Sequence, residues 1–266
     1  MEPGTRRKDS KELAEGYSWT HRVYELGGIT LAIGAATWLC VRLAHAAPLS
    51  GWFVPLAALC GILAADFFSG LIHWGFDTWG AVDTPILGKL AIRTFREHHV
   101  DEKAITRHDF VETNGHNMAL SGPMYLSGVY ALSGPPSLGM TFVGMTALAA
   151  GFFIGITSQI HKWAHMEQPP APIRLLQRAR LLLTAEHHAL HHTAPYDRAY
   201  CITVGWLNGP LRAVRFFETL ERIITAVTGA VPREDDIGKD AALATLEEQE
   251  VVLAPPPKEA KVKIDP

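Results

Sequence analysis

The chain has 266 residues, 48% of them apolar and 19% charged, with a formal net charge of −3. No basic run of the kind that follows a phosphate backbone is present, so nucleic acid is excluded as a partner. The three cysteines, Cys40, Cys60 and Cys201, form no CxxC pair, which excludes a disulfide framework and a thiolate metal site.

Charge is segregated along the chain. The opening MEPGTRRKDSKELAEGYSWTHR is too long and too polar for a cleaved signal peptide and reads as a polar segment over residues 1–24. Four apolar stretches follow. The first runs from Gly27 to Ala47, with Arg42 near its end where it can snorkel, and the second from Trp52 to Ile72. The third, Met118 to Leu132, is rich in glycine and proline and shorter than the ~20 residues that span comfortably; it reads as a broken, tilted or re-entrant segment. The fourth, Leu138 to Ile160, is separated from the third by the turn signal SGPPS.

Lysine and arginine set the orientation. Arg6, Arg7, Lys8, Lys11 and Arg22 precede the first stretch, and Lys89, Arg93, Arg96, Lys103 and Arg107 follow the second. Lys162, Arg174, Arg178 and Arg180 follow the fourth, and the two short connections are nearly free of both residues. The positive-inside rule therefore puts both termini and the long middle loop in the cytosol. Ala171 to Leu183 alternates apolar and basic residues at helical spacing, as in an amphipathic helix at the membrane interface or an ordinary surface helix. The expected division is an N-terminal segment 1–24, a membrane domain 25–232 and a disordered, acidic, Ala/Pro-rich tail 233–266. The fold class is all-α, with about four transmembrane helices beneath a cytosolic histidine-rich cap.

The histidines carry the chemistry. Thirteen is a high number, and only His21 and His45 are isolated. His73 closes the second stretch in ADFFSGLIHWGFDTWG, where a continuing helix puts Asp66 and Asp77 on the same face. A carboxylate such as Asp66 in an apolar run is costly unless paired. His161 and His165 in QIHKWAH stand at i,i+4, a chelating spacing that is weak as a motif by itself. EHHALHH, with His187, His188, His191 and His192, is the strongest local signal, since histidine serves neither helix propensity nor packing. FREHHVD adds His98 and His99, with His108 and His116 close by.

Considered jointly, these clusters deliver more imidazoles to one membrane face than a zinc ion can use, and neither HExxH nor a cysteine set is present. A bis-histidine haem needs only two. With the nearby carboxylates Asp66, Asp77, Glu97, Asp101, Asp109, Glu112 and Glu186, the set fits a two-iron site in which carboxylates fix imidazole tautomers.

Histidine clusters at the cytosolic ends of four spans resemble the membrane desaturase and hydroxylase superfamily. ADFFSGLIHWGFDTWG, FREHHVDEKAITRHDFVETNG, SQIHKWAH, HHALHH and YCITVGWLN, in that order over Ala65 to Pro232, resemble the plasmanylethanolamine desaturase family. That family includes an animal enzyme and a bacterial light-response protein. The resemblance implies conversion of a 1-O-alkyl ether phospholipid (plasmanylethanolamine) to the 1-O-alk-1'-enyl plasmalogen. It implies two iron ions, dioxygen as co-substrate, and electrons from an external redox protein such as cytochrome b5 or ferredoxin with its reductase. The family's ligands carry over to His73, His98, His99, His108, His161, His165, His187, His188, His191 and His192. All of these except His108 and His187 are also expected to be catalytic. Asp66 and Asp77 fall at acidic positions expected to support the ligands by hydrogen bonding. The membrane is the inner membrane in a bacterium and the endoplasmic reticulum in a eukaryote. Three positions depart from the family pattern: His116 stands where an acidic residue is usual, so it is left out of the ligand set; Glu102 replaces a proline; and Tyr196 replaces a histidine. The alternatives are acyl-chain desaturation, hydroxylation, a zinc hydrolase, and a membrane regulator without enzymatic activity in a light or singlet-oxygen response.

Overall fold

The computed structural model describes residues 13, 15–48 and 50–253; much of the expected N-terminal segment and the end of the expected tail lie outside the described residues. All regular structure among the described residues is helical. Helix α1 (Trp19–Ala44) and α2 (Phe53–Thr78) come first. A π-helical segment, Gly88–Ile92, then runs into α3 (Arg93–Val100), followed by α4 (Ala104–Arg107), α5 (Phe110–Ala131) and α6 (Leu138–His165). The remaining helices are short: α7 (Ala171–Arg178), α8 (Ala185–Ala189), α9 (Asn208–Ala213), α10 (Phe216–Thr228), α11 (Glu234–Ile237) and α12 (Lys239–Leu253).

Three of these, α1, α2 and α6, are long and apolar enough to cross a membrane. Their outer faces carry large apolar side chains such as Leu31, Trp38, Leu56 and Phe152, as expected of helices whose solvent is lipid. The third apolar stretch is the second half of α5, an unbroken 22-residue helix that continues through Pro123. Its first half is polar: Asn114 is fully buried, and its Nδ2 donates to the Phe110 carbonyl and to Gln159 Oε1. Asp109 caps α5 by accepting from the Val111 and Glu112 amides.

The main packing pairs are α1 with α5, α5 with α6, and α2 with α6. Small residues let the backbones approach, as is usual where lipid gives no hydrophobic drive to helix association. A Cβ at Gly61 would stand 2.6 Å from the Thr146 carbonyl oxygen of α6, and one at Gly28 would stand 2.7 Å from the Ala119 Cβ of α5. Ala32, Ala35, Leu39, Tyr125, Val129 and Ala147 form the core between α1, α5 and α6. Arg42 donates to the Leu132 carbonyl, so the two short connections lie at one end of the bundle. His73, His161 and His165 lie at the other.

Two expectations are corrected here. The amphipathic helix ends at Arg178 instead of running to Leu183, and Arg180 has a positive φ of 56°. Leu182 and Leu183 then turn inward to pack with Ile160, Ala164 and Ile202. Residues 233–253 are no disordered tail. They form α11 and α12, and Arg233 is 0% exposed. Composition misleads there because one buried ion pair, invisible in the average, ties a polar segment to the core.

Candidate metal centre

At the end of the bundle opposite the short connections, α2 brings His73 and Asp77, α3 brings His98 and His99, and α6 brings His161 and His165. The α8 turn adds His188, and the chain just beyond it His191 and His192. The i,i+4 spacing within α2, α6 and the α8 turn stacks two ligating groups on one face of each.

The side chains converge as two adjoining groups. In the first, His98, His161, His165, His188 and His192 each offer a ring nitrogen within 4.8 Å of the others. The Nε2–Nε2 separations are 2.7 Å for His161–His188, 2.9 Å for His188–His192, 3.1 Å for His98–His192 and 3.2 Å for His161–His165. In the second, His73, Asp77, His99 and His191 meet. Asp77 oxygens lie 3.1 Å from His73 Nε2, 3.4 Å from His191 Nε2 and 3.5 Å from His99 Nε2. The groups share a wall, the His191 and His192 ring centroids being 5.2 Å apart.

The tautomers in the second group follow from the other ring nitrogen. His73 Nδ1–H donates to the Tyr200 carbonyl at 3.1 Å, His191 Nδ1–H to the Arg198 carbonyl at 2.9 Å, and His99 Nδ1–H to Asp236 Oδ2 at 2.7 Å. All three Nε2 lone pairs are thereby turned toward Asp77. Left-handed backbone at Tyr196 (φ 60°) and Ala199 (φ 59°) flanks Arg198 and immediately precedes Tyr200, whose carbonyls accept these bonds.

This arrangement fits metal ions. Both Asp77 oxygens and His73 Nε2 are buried with no hydrogen-bond partner in the protein, although such orphans cost roughly 1–3 kcal/mol each. Acceptors facing acceptors repel unless a cation lies among them. A metal–nitrogen bond of ~2.0–2.1 Å sets neighbouring ligand atoms about 3 Å apart, close to the spacing observed. All but one of the candidate ligands outside the long helices are held neutral, as metal binding would require. Burial and the neighbouring imidazoles push His98 and His188 well below the ordinary histidine range, and His191 and His192 down to about 3 and about 2. His99 is the exception: burial lowers it, but Asp77 and Asp236 together outweigh burial and raise it.

The remaining expected residues lie elsewhere. His187 Nε2 contacts Asn208 Nδ2 at 3.0 Å, and that Asn208 holds the Cys201 backbone. His108 sits between Glu97 and Glu112 at 3.6 and 3.7 Å, and His116 faces Glu25 at 3.4 Å. Asp66 accepts the backbone N–H groups of Val204, Gly205 and Leu207 at 2.8–3.0 Å, pinning the YCITVGWLN loop to α2. The Tyr196 ring stacks on His99 at 4.6 Å. Sequence reasoning missed Asp236, which lay in the presumed tail. It also missed the Arg198 and Tyr200 carbonyls, since a main-chain acceptor leaves no mark in residue identity.

The lipid desaturase domain profile matches residues 62–235. A plasmanylethanolamine desaturase of Myxococcus xanthus is 49% identical over 246 residues, 92% of this chain and 86% of that protein. Plasmanylethanolamine desaturase 1 of Mus musculus is 40% identical, covering 88% of each chain. Fatty acid desaturase 4, chloroplastic, of Arabidopsis thaliana is 31% identical over 81% of this chain and 65% of its own length. No solved structure matches.

Proposed function

The chain belongs to the lipid desaturase family, and from that premise we propose that it forms the vinyl-ether bond of a plasmalogen at a diiron centre. The observation that carries this reading is the pair of adjoining groups, one of five imidazoles and one of three imidazoles with Asp77. The ether-lipid substrate is taken from the relatives named plasmanylethanolamine desaturase. The balanced reaction is R–O–CH2–CH2–R' + O2 + 2 e− + 2 H+ → R–O–CH=CH–R' + 2 H2O. The two electrons come from an external one-electron carrier of the cytochrome b5 or ferredoxin class.

Bound iron would supply two-electron activation of dioxygen and hydrogen abstraction from an unactivated C–H bond. The protein's own part is to hold and shield that chemistry. His98, His161, His165, His188 and His192 would hold one ion, and His73, His99 and His191 with Asp77 the other. Nδ1–H bonds to two main-chain carbonyls and one carboxylate fix the second set before any metal arrives, so little is lost to reorganisation on binding. Burial of the histidines would keep bulk water from the reacting site. The exposed Arg174 and Arg178 of α7 are suited to a lipid phosphate at the interface, with the alkyl chain lying between helices. The lysine and arginine distribution supports a cytosolic position for this end of the bundle. The membrane would be the inner membrane in a bacterium and the endoplasmic reticulum in a eukaryote.

The test is lipid analysis of a plasmalogen-free host that expresses the chain and is supplied with ether lipid. Acid-labile vinyl ether appears with the native chain and is absent with His188→Ala or His192→Ala. A new double bond confined to acyl chains would move the assignment to the reaction suggested by the Arabidopsis relative's name. A hydroxylated ether lipid without any vinyl ether would overturn desaturation.

A further inference from the structure

Of the three imidazoles around Asp77, two are oriented by main-chain carbonyls, and only His99 depends on a side chain, that of Asp236. Asp236 lies one residue beyond the matched domain, in a segment whose composition reads as a tail. It is nevertheless firmly held. The Arg233 guanidinium is bidentate on Glu221 at 2.7 and 2.8 Å, and Trp74 Nε1–H donates to the same carboxylate at 2.9 Å. The Arg233 amide donates to the carbonyl of Thr78, the residue after Asp77, at 2.7 Å. Asp235 accepts from Arg96 Nε at 3.0 Å, and Arg96 also donates to the Phe76 and Gly80 carbonyls. These contacts tie the segment to α2, α3 and α10 just before Asp236, whose carboxylate is 6% exposed and meets His99 at 2.7 Å.

We propose that Asp236 is a positioning residue for the metal centre, and that the docked segment from Arg233 onward completes the Asp77 group by holding His99 with its Nε2 turned inward. The inference rests on the metal reading of the two groups. A carboxylate behind a ligating imidazole fixes its tautomer and ring plane and raises its basicity, and removing such a partner typically weakens metal binding 10–100-fold. The effect is confined to one group, because Asp236 touches none of the five imidazoles of the other.

The experiment is a cobalt(II) titration of the purified, metal-stripped, full-length protein in detergent, followed by visible ligand-field absorption. The native protein is expected to take up cobalt at two sites. Asp236→Ala should weaken one of them 10–100-fold and leave the other unchanged. Asp236→Asn, whose amide oxygen still accepts from Nδ1–H, should sit at the low end of that range. Asp235→Ala, which breaks the neighbouring ion pair without touching His99, should bind both ions as the native chain does. In a His99→Ala background, Asp236→Ala should add nothing. Unchanged affinity in Asp236→Ala overturns the proposal, and so does equal weakening by Asp235→Ala. If Asp236→Ala fails to fold, native affinity at both sites in Asp236→Asn overturns it. A native chain that takes up no cobalt overturns the metal reading itself, an outcome distinct from any of these.

Discussion

At the scale of single residues, adjacent histidines face different surroundings. His187 and His188 are neighbours in EHHALHH, yet His188 is 1% exposed among five converging imidazoles, while His187 braces the Asn208 loop. Replacing His188 by alanine is expected to lower iron per chain and abolish product. Replacing His187 by alanine should leave the iron content intact and lower only the melting temperature. Metal analysis beside a thermal melt for both variants checks this, and equal iron loss would show that His187 is a ligand. The sequence could not separate the two, because the choice depends on which side of a five-residue helix faces α6. The two acidic residues expected to support the ligands diverge likewise: Asp66 is consumed by three backbone amides, and Asp77 points its unpaired oxygens into the site.

At the scale of elements, the long helices are legible and the short ones are not. α1, α2 and α6 announce themselves by unbroken apolar runs, because a helix in lipid must hide its whole backbone. α11 and α12 have no such signal. They are held by the Arg233–Glu221 pair, whose guanidinium and carboxylate are 0% and 1% exposed. Breaking a buried pair from one side leaves a naked charge and costs roughly 3–5 kcal/mol, whereas an apolar replacement of both partners is close to neutral. Arg233→Met alone is therefore expected to lower the melting temperature sharply, and Arg233→Met combined with Glu221→Leu to recover most of the loss. Thermal unfolding of the two variants in the same detergent measures the difference; no recovery in the double variant would show that Trp74 and Tyr200 also need the pair.

At the scale of the whole molecule, the two histidine groups join the bundle to its cap. The candidate ligands come from α2, α3, α6 and the α8 turn, so a bound ion would tie together segments more than a hundred residues apart. A ligand that binds only the folded state stabilises it by RT ln(1 + [L]/Kd), about 4 kcal/mol at a thousandfold excess over Kd. Chelation is accordingly expected to lower the melting temperature and expose the 93–108 and 185–205 segments to protease, and added ferrous iron should reverse both. Melting that is indifferent to chelator and iron would contradict a structural contribution from the metal.

The sequence by itself determined that this is a helical membrane protein with imidazoles gathered at one end, and its motifs identified the lipid desaturase family. Hydropathy and histidine clustering are local properties, readable within a window of twenty residues. What only the tertiary structure decided is the sorting of the histidines into two groups, the entry of Asp77 into one of them, and the recruitment of Asp236 from a polar C-terminal segment. Those facts depend on contacts such as His99–Asp236, 137 residues apart, and on main-chain carbonyls that any residue could supply. A linear reading averages over such long-range, side-chain-blind interactions, and folding is what makes them specific.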